Sequence, residues 1–322
     1  MTLNTIILAA GMGKRLKTNT CKVIVPLIHK PLIIHLLDNL GETLSPENTV
    51  VIIGHQGDEV KAVVEQHVNG VQFAWQHEQK GTGHAVIQAK PYITQFDNPT
   101  LILAGDVPLV NEAMILPFLD YHKTHKADIT VLTTTLPDPT GYGRIVRDKS
   151  QNNVERIVEH KDASEAEKLI NEINSGIYLV NSSLLFELLD DIQPNNAQNE
   201  YYLTDIITLG IQRKLNIQAY LFEEADLLRG VNSREDLAIL ASYIYRQSVK
   251  KHLENGVTIL SPDTTFIEPD VVIEKDVILE PMVTLRGKTV LAEGTHVASF
   301  AYVKDYTSKP NEVIKAYTEL QG

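Results

Sequence analysis

The chain has one cysteine, Cys21, among its 322 residues, so it cannot form an internal disulfide. Long apolar runs are also missing near the N-terminus. The stretch from Ile6 to Ala10 is too short for a signal peptide, and no basic segment precedes it. These absences lead us to expect a protein of the reducing cytoplasm.

Positive charge is in short supply as well. The chain has 29 Lys and Arg against 41 Asp and Glu, which gives a formal net charge of −12. A surface with this balance repels the phosphates of nucleic acids and of anionic lipids, so we expect neither nucleic acid nor a membrane as a partner. The hydrophobic fraction of 43% is sufficient for the core of a soluble globular protein.

Two familiar phosphate-binding patterns are absent from the glycine loop after the first apolar run. Leu16 stands where a dinucleotide fingerprint needs its third glycine, and the chain has no G-x-x-x-x-G-K-[ST] motif. The loop does contain Gly11 and Gly13, with Arg15 and Lys22 downstream. Glycine lets backbone N–H groups approach a polyphosphate, and two cationic side chains can share its charge. The loop favours a nucleoside triphosphate, although a plain strand-to-helix turn would also explain it.

Short β-branched runs alternate with helical patterns up to about Gly230, as they do in parallel α/β sheets. The strand-like runs are 49–53, 71–75, 101–104 and 129–133, and the helical patterns are 32–40, 59–67, 83–89 and 113–126. Ligands bind at the carboxyl ends of the strands in such sheets. The opening loop is therefore in a position typical of a binding site.

Two further segments follow predicted strands. Asp106 comes after a buried run, where a carboxylate can hold Mg²⁺ together with substrate phosphates; a turn cap before Pro108 is the alternative. Gln76, Gly81 and Thr82 lie in a strand end and the turn after it. An amide and exposed backbone groups can read the edge of a pyrimidine base, so we predict base selection there.

The second half of the chain has a third type of candidate. Gly143, Glu159 and Asn174 each lie in a short polar segment next to a predicted strand. Glycine backbone and polar oxygens suit the hydroxyl groups of a sugar. For any one of these segments alone, a plain turn remains the simpler interpretation.

After Asn232 the pattern changes. Ser233 to Asp236 is typical of a helix N-cap, and the amphipathic helix that follows is predicted to run to about Leu253 and to end at Gly256. We therefore predict an α/β domain over 1–230, a connector helix over 231–256, and a third part over 257–322.

The third part contains an internal repeat. An aliphatic residue recurs every six positions, at Ile267, Ile273, Leu279, Leu285, Leu291, Val297 and Val303. This period is typical of hexapeptide repeats that coil into a parallel β-helix. Residues 257–305 supply fewer than three turns, and 310–322 are predicted to form a short helix or an ordered cap.

Together the motifs resemble those of the bacterial N-acetylglucosamine-1-phosphate uridylyltransferases, the nucleotidyltransferase half of the bifunctional enzyme that makes UDP-N-acetylglucosamine. The resemblance covers nearly the whole chain, through segments 8–11, 81–85, 105–109, 138–145, 158–163, 195–198, 200–205 and 230–232. It implies a Rossmann-like, glycosyltransferase-A-like α/β fold with a mostly parallel sheet, followed by a short left-handed parallel β-helix. It also implies a homotrimer assembled through the repeats.

The resemblance also implies a role for each matching residue. Nucleotide binding is implied for Leu8, Ala9, Ala10, Gly11, Gln76, Gly81 and Thr82. Catalytic contacts to the phosphates are implied for Arg15 and Lys22. Binding of the amino sugar is implied for Gly143, Glu159, Asn174 and Asn232, and binding of Mg²⁺ for Asp106 and Asn232.

The expected reaction forms UDP-N-acetylglucosamine and pyrophosphate from UTP and N-acetylglucosamine-1-phosphate, with Mg²⁺ as cofactor, in cell-wall peptidoglycan biosynthesis. Because the repeats are few, we do not expect acetyl transfer to glucosamine-1-phosphate. Two alternatives stay open. Ala104 stands where the family usually has tyrosine, which leaves room for another sugar-1-phosphate nucleotidyltransferase, and a non-catalytic regulatory protein that binds a nucleotide sugar is the second.

Overall fold

The structure is a computed structural model that describes residues 3–11, 13–148, 150 and 153–322. Its internal contacts divide the chain into two compact units, Met1–Asp236 and Leu237–Gly322. The division falls inside a helix, Arg234–Glu254, that lies within the predicted connector. No helix among the described residues is long and apolar enough to cross a membrane.

The first unit alternates strands and helices as predicted. Its strands are β1 (Asn4–Leu8), β2 (Pro26–Leu27), β3 (Lys30–Pro31), β4 (Thr49–Ile53), β5 (Gln72–Trp75), β6 (Pro99–Ala104), β7 (Ile129–Thr135), β8 (Arg144–Arg147), β9 (Val154–Val158), β10 (Glu172–Asn181) and β11 (Ile217–Leu221). Its helices are α1 (Leu32–Asn39), α2 (Gly57–Glu65), α3 (Thr82–Ile87), α4 (Glu112–Thr124), α5 (Glu165–Lys168), α6 (Ser182–Asp191) and α7 (Asp205–Gln212). The predicted strand and helix bounds differ from these by about two residues.

The main sheet has the strand order β11-β7-β10-β6-β1-β4-β5, with β8 and β9 attached beside β10. Four of the six neighbouring pairs in this order are parallel, and β10 runs antiparallel to both β6 and β7. The predicted α/β unit with a mostly parallel sheet is confirmed. Since β1, β4, β5 and β6 are parallel, their carboxyl ends meet at one edge, where the candidate site lies.

The sheet is buried on both faces, which explains its continuous hydrophobic runs. Every residue of β4 is buried, and so are Ile6 in the adjacent strand β1 and Ile102 in β6, the next strand along the sheet. Helix side chains such as Leu185 join this core. The rigid centre of the sheet therefore fixes the strand ends that carry the site.

The helix Arg234–Glu254, α8, begins as the sequence predicts. Ser233 Oγ accepts from the Asp236 N–H at 3.1 Å, and the Asp236 carboxylate accepts from the Ser233 N–H at 2.8 Å. This reciprocal pair satisfies two backbone donors at the helix start.

The second unit consists of short parallel strands after α8. They are β12 (Thr258–Ile259), β13 (Phe266–Ile267), β14 (Val272–Ile273), β15 (Ile278–Leu279), β16 (Thr284–Arg286), β17 (Val290–Leu291), β18 (His296–Val297), β19 (Tyr302–Lys304), β20 (Val313–Ile314) and β21 (Glu319–Gln321). Most partners lie eighteen residues apart: Ile278 pairs with His296, and Thr284 with Tyr302. This offset equals three hexapeptides, and all seven repeat positions are buried.

The prediction of a short helix or ordered cap over 310–322 was wrong. β20 and β21 in this segment pair in parallel with β18 and β19. Their register is seventeen residues, with Val297 opposite Ile314 and Val303 opposite Leu320. Because this turn is one residue shorter, Ile314 and Leu320 do not continue the six-residue spacing of the earlier repeat positions. The last repeats are therefore not recognisable from the spacing in the sequence. Two of the short sheets are therefore four strands deep.

Candidate active site

The opening loop is fixed to the strand end beside it. The Gly105 N–H donates to Leu8 O at 2.9 Å, where β6 ends beside β1. The Gln79 side chain donates to Ala10 O at 2.8 Å. Ala9 is buried and its N–H donates to Ile52 O at 2.9 Å, so this donor already belongs to the sheet.

A cavity of about 460 Å³ lies at the carboxyl ends of β1, β5 and β6. Its lining brings together six of the seven predicted nucleotide residues with one predicted catalytic residue and one predicted metal ligand: Leu8, Ala10, Gly11, Gln76, Gly81, Thr82, Lys22 and Asp106. Ala9 is not part of this lining. The cavity is thus formed by segments far apart in sequence, because the parallel sheet aligns their strand ends.

The predicted base-selection segment has a fixed geometry. The buried Gln76 amide donates to Gly81 O at 3.0 Å and lies 3.1 Å from His84 Nδ1. Gly81 has φ +107°, in the region that favours glycine. Thr82 Oγ1 accepts from the Leu203 N–H at 3.0 Å, so one lone pair of this hydroxyl is used within the chain.

A loop that we name the clamp loop, residues 196–204, lies against this turn. Tyr201 donates its N–H to Lys80 O at 2.7 Å and accepts from the Gly83 N–H at 2.8 Å. Asn196 holds the loop's own shape, because its Oδ1 accepts from the N–H groups of Gln198 and Glu200, each at 3.2 Å. The turn that carries Gly81 is therefore held by backbone bonds to a separate segment.

The same loop reaches the predicted sugar segment. The Ala197 N–H donates to the Asp162 carboxylate at 2.8 Å. Thr204 Oγ1 donates to Glu159 Oε1 at 3.4 Å, at the long end of hydrogen-bond distances. One loop thus contacts both the base-selection turn and the carboxylate predicted to bind the sugar.

Gly143, Glu159 and Asn174 come together although they are separate in sequence. The Asn174 N–H donates to Gly143 O at 2.9 Å. A Cβ on Gly143 would lie 3.5 Å from Asn174 Cβ and 3.6 Å from Glu159 Oε1. β8 and β9 pair with Arg144 opposite Val158, which aligns two of these segments. The three residues form one polar cluster.

Burial dominates the electrostatics of this cluster. It raises the pKa of Glu159; the Thr204 hydrogen bond opposes the shift, and the charge of Asp162 adds to it. Burial, with a further contribution from the Asp162 charge, raises the pKa of Asp205 to about 6. Glu159 and the neighbouring Asp205 thus hold their protons more strongly than usual, beside a place where neutral hydroxyl groups could bind.

The predicted phosphate and metal residues form a second cluster. The Lys22 ammonium pairs with the Asp106 carboxylate and donates to Asn232 Oδ1 at 2.8 Å. Arg15 Nη2 donates to the same Asn232 oxygen at 2.8 Å. A smaller cavity of about 190 Å³ is bounded by Gly11, Gly13, Arg15, Lys22 and Asn232. All four predicted residues are therefore brought together.

The position of Asn232 is set by backbone contacts. The Val231 N–H donates to Asp106 O at 2.9 Å, which joins the two metal-candidate segments. The Asn232 N–H donates to the Asp236 carboxylate at 2.9 Å, so the start of α8 holds this asparagine in place.

The oxygen atoms in this cluster fit a magnesium ion. The Asp106 carboxylate and the Asn232 amide oxygen converge on one cation, the Lys22 ammonium. Mg²⁺ prefers oxygen ligands and usually binds one or two from the protein, with water and substrate phosphates supplying the rest. Within the described ranges, no group of three or more His, Cys, Asp or Glu side chains could hold a metal alone. The donor set suits a metal shared with a phosphate-bearing ligand.

Residue-by-residue prediction missed several contributors. Gln79 and Glu200 line the larger cavity, and Thr204 and Asp205 lie beside Glu159. Gln79 lies three residues from Gln76, and the other three fall within the 200–205 motif, so a signal was present. This signal does not reveal the roles of these residues, because the contacts of the clamp loop to the Gly81 turn and to Glu159 are visible only in three dimensions. Ala104 also lines the cavity.

Comparison with known proteins identifies the family. The model of the nucleotidyl transferase family matches residues 4–253. Curated relatives named "Bifunctional protein GlmU" are 41% identical in Listeria monocytogenes serotype 4a, over 91% of this chain and 63% of the relative, and 40% identical in Streptococcus suis, over 96% and 66%. The chain thus spans about two thirds of the length of these relatives. The predicted resemblance is confirmed.

Solved structures show the same fold at low identity. A putative glucose-1-phosphate thymidylyltransferase from Bacillus anthracis is 20% identical with a TM-score of 0.57, over 75% of this chain and 95% of that one. A UDP-glucose pyrophosphorylase is 18% identical with a TM-score of 0.58, over 77% and 100%. The predicted Rossmann-like nucleotidyltransferase fold is confirmed.

Proposed function

This chain belongs to the nucleotidyl transferase family, and from that premise we propose that it makes UDP-N-acetylglucosamine and pyrophosphate from UTP and N-acetylglucosamine-1-phosphate. The carrying observation is the cluster of Arg15, Lys22, Asp106 and Asn232 beside a cavity of about 460 Å³. This substrate pair is the one that the motif resemblance implies, and the similarity to relatives named "Bifunctional protein GlmU" supports it.

UTP would enter the larger cavity with its base toward Gln76 and Gly81. The Gln76 amide is oriented by its bond to Gly81 O, so its remaining polar atom can select a pyrimidine edge. The triphosphate would extend past Gly11 toward Lys22, where glycine backbone allows close approach.

The sugar would bind at Gly143, Glu159 and Asn174. The space that a side chain at Gly143 would occupy faces both of the other residues, so glycine leaves room for a sugar ring. Glu159 Oε1 and the Asn174 amide can then bond to sugar hydroxyl or amide groups. These contacts would fix the 1-phosphate relative to the α-phosphorus.

The reaction is a direct displacement. An oxygen of the sugar phosphate forms a bond to the α-phosphorus of UTP, the bond from that phosphorus to the bridging oxygen breaks, and pyrophosphate leaves with the electron pair. Arg15 and Lys22 would stabilise charge on the phosphates. When bound, Mg²⁺ held by Asp106 and Asn232 would neutralise part of the same charge. No covalent enzyme intermediate is part of the proposal, because displacement at phosphorus needs mainly positioning and charge neutralisation.

Further parts of the proposal concern the second unit and the location. We propose that the stacked parallel strands form a left-handed β-helix through which three copies associate, and that this chain does not transfer acetyl groups. The parallel register of about eighteen residues supports the coil. A cytoplasmic location is also part of the proposal, in keeping with one free cysteine.

Pyrophosphate release tests the proposed activity. The purified chain is incubated with UTP, N-acetylglucosamine-1-phosphate and Mg²⁺, beside reactions with glucose-1-phosphate, with dTTP, and with glucosamine-1-phosphate plus acetyl-CoA. We expect release with the first pair and no acetylated product in the last.

Ala104 in the cavity lining favours testing one second candidate, a nucleotidyltransferase for another sugar phosphate or base. Faster release with glucose-1-phosphate or dTTP would establish that activity instead. Tight binding of UDP-N-acetylglucosamine without release from any pair would indicate a non-catalytic binding protein.

A further inference from the structure

Lys22 contacts the same two oxygens that are proposed to hold Mg²⁺. Its ammonium pairs with the Asp106 carboxylate and donates to Asn232 Oδ1 at 2.8 Å. We propose that Lys22 and the metal compete for these oxygens, so that the metal binds tightly only when a triphosphate draws Lys22 away. The proposal rests on the proposed function and adds an order of binding to it, in which tight metal binding follows the nucleotide.

The two cations disfavour each other at these oxygens. Mg²⁺ sits about 2.1 Å from its oxygen ligands and demands near-octahedral geometry. An ammonium bonded to the same carboxylate and amide oxygens would lie only about 4 Å from the metal, and like charges at that distance repel. Metal binding at Asp106 and Asn232 is therefore tighter once Lys22 has left these oxygens.

The Lys22 side chain has access to a second position. It lines both the larger cavity, where the triphosphate would lie, and the smaller one beside Asn232. Its backbone is fixed at the start of a short 3-10 turn, Lys22–Ile24, next to the buried Val23. The flexible side chain can reach from Asp106 to a phosphate without movement of the main chain.

Arg15 contacts Asn232, whereas Lys22 contacts both Asn232 and Asp106. Arg15 donates to Asn232 Oδ1 at 2.8 Å, lines only the smaller cavity, and is exposed. Removing Arg15 takes one donor from Asn232 and leaves the Lys22 pair with Asp106 in place. Arg15→Met is therefore a matched control for Lys22→Met, since both remove one positive charge near the site.

The competition links metal and nucleotide thermodynamically. A triphosphate supplies negative oxygens that attract Lys22 and that can also complete the metal's coordination shell. Each ligand then raises the affinity for the other by the same factor. Without Lys22, the metal would no longer need the nucleotide to release Asp106, so this factor should shrink.

The test measures binding of Mn²⁺, as a spectroscopic substitute for Mg²⁺, from the electron paramagnetic resonance signal of the free ion. Titrations use the full chain, with and without a UTP analogue whose α,β-bridging oxygen is replaced by NH. For the nucleotide-free chain we expect Lys22→Met to tighten Mn²⁺ binding about tenfold, and Arg15→Met to change it by less than about threefold. Lys22→Gln serves as a second variant, and circular dichroism checks that each variant folds.

The outcomes separate this proposal from the function it rests on. Unchanged nucleotide-free affinity in both Lys22 variants, with affinity lost in Asp106→Asn, would overturn the competition and leave the metal site intact. Mn²⁺ binding that ignores Asp106→Asn in every state would overturn the competition together with the metal assignment. Pyrophosphate release by the wild-type chain tests the catalytic proposal separately.

Discussion

A Cβ placed on Gly81 would lie 2.5 Å from the carbonyl oxygen of Tyr201, closer than real Cβ contacts allow. The clash involves backbone of the clamp loop, which is itself bonded to Lys80 and Gly83 on either side of the glycine. Relief of the clash would therefore need the loop and the turn to move apart.

Gly81→Ala is expected to raise the KM for UTP at least about tenfold, because it displaces the turn that orients Gln76. It should also lower stability by about 1–3 kcal/mol, since φ is +107°. Steady-state kinetics and urea unfolding measure both effects. Gly70→Ala is the control: it has φ +92° but its Cβ would meet nothing closer than 3.5 Å. Equal losses of UTP affinity in both variants would contradict the role of the clash.

Asp106→Asn should reduce kcat about a hundredfold or more at limiting Mg²⁺, because the variant loses the carboxylate that would share the metal with the substrate. Kinetics over a range of Mg²⁺ concentrations measure the loss and any partial recovery. Asp38→Asn is the control, since Asp38 is an acidic residue of helix α1 that pairs with Lys30 and His67 and lines neither cavity. Wild-type turnover by Asp106→Asn at low Mg²⁺ would remove the metal assignment.

Asp205 should make stability depend on pH in a defined direction. Burial raises the pKa of Asp205 to about 6, whereas an unfolded aspartate titrates near 3.9. The folded state therefore binds this proton more strongly, and its contribution to stability is present below the unfolded pKa and is lost as pH rises through 6. Asp205→Asn should gain about 1–3 kcal/mol relative to wild type on going from pH 4 to pH 8. Unfolding curves of wild type and Asp205→Asn, each measured at pH 4 and at pH 8, test this prediction. Equal changes in stability in the two proteins would contradict the raised pKa of Asp205.

His252 should act in the opposite sense in the second unit. His252 is 3% exposed, and burial lowers the pKa of its ring. The neutral form is favoured in the folded state, so stability is present above the unfolded pKa near 6.5 and falls as the pH drops below it. His252→Leu should lose less stability than wild type between pH 7 and pH 5, as measured by thermal unfolding. An identical loss in both proteins would exclude this contribution.

The last turn of the repeat can be tested by truncating one side chain. Ile314 is 3% exposed and pairs with Val297, so Ile314→Ala should destabilise the second unit by about 2–4 kcal/mol through the cavity it leaves. The adjacent Val313 is 64% exposed, and Val313→Ala is the control, with an expected change below about 0.5 kcal/mol. Equal effects in unfolding experiments would contradict the pairing of β20.

How far the sequence predicts this fold depends on the range of the interactions. Strand β4 and helix α1 were predicted almost to the residue, because periodicity and β-branched residues are local properties. The antiparallel placement of β10 between β6 and β7 was not predicted. Pairing order depends on contacts between distant segments, which a hydrophobic pattern does not specify. The prediction for residues 310–322 was wrong for a similar reason. One residue fewer between Val303 and Ile314 interrupts the six-residue period on which that prediction depended.

The candidate site follows the same division. The types of residue expected near phosphates, Arg15, Lys22 and Asp106, could be inferred from charge and glycine spacing. Asn232 came only through the resemblance, since composition alone gives it the appearance of a helix cap. Thr204 and Tyr201 were not predicted, because they act through contacts to Glu159 and Gly83 that no local pattern reveals.

The clamp loop limits how this protein can be redesigned. Its backbone at Tyr201 contacts the turn proposed to select the base, and Thr204 contacts the Glu159 carboxylate proposed to bind the sugar. If the proposed sites are used, a new sugar preference obtained by reshaping residues 196–204 would alter the choice of base as well. Under the proposed function, engineering a different nucleotide sugar from this scaffold would require both preferences to be selected in the same library, because the two halves of the product would not be independently exchangeable.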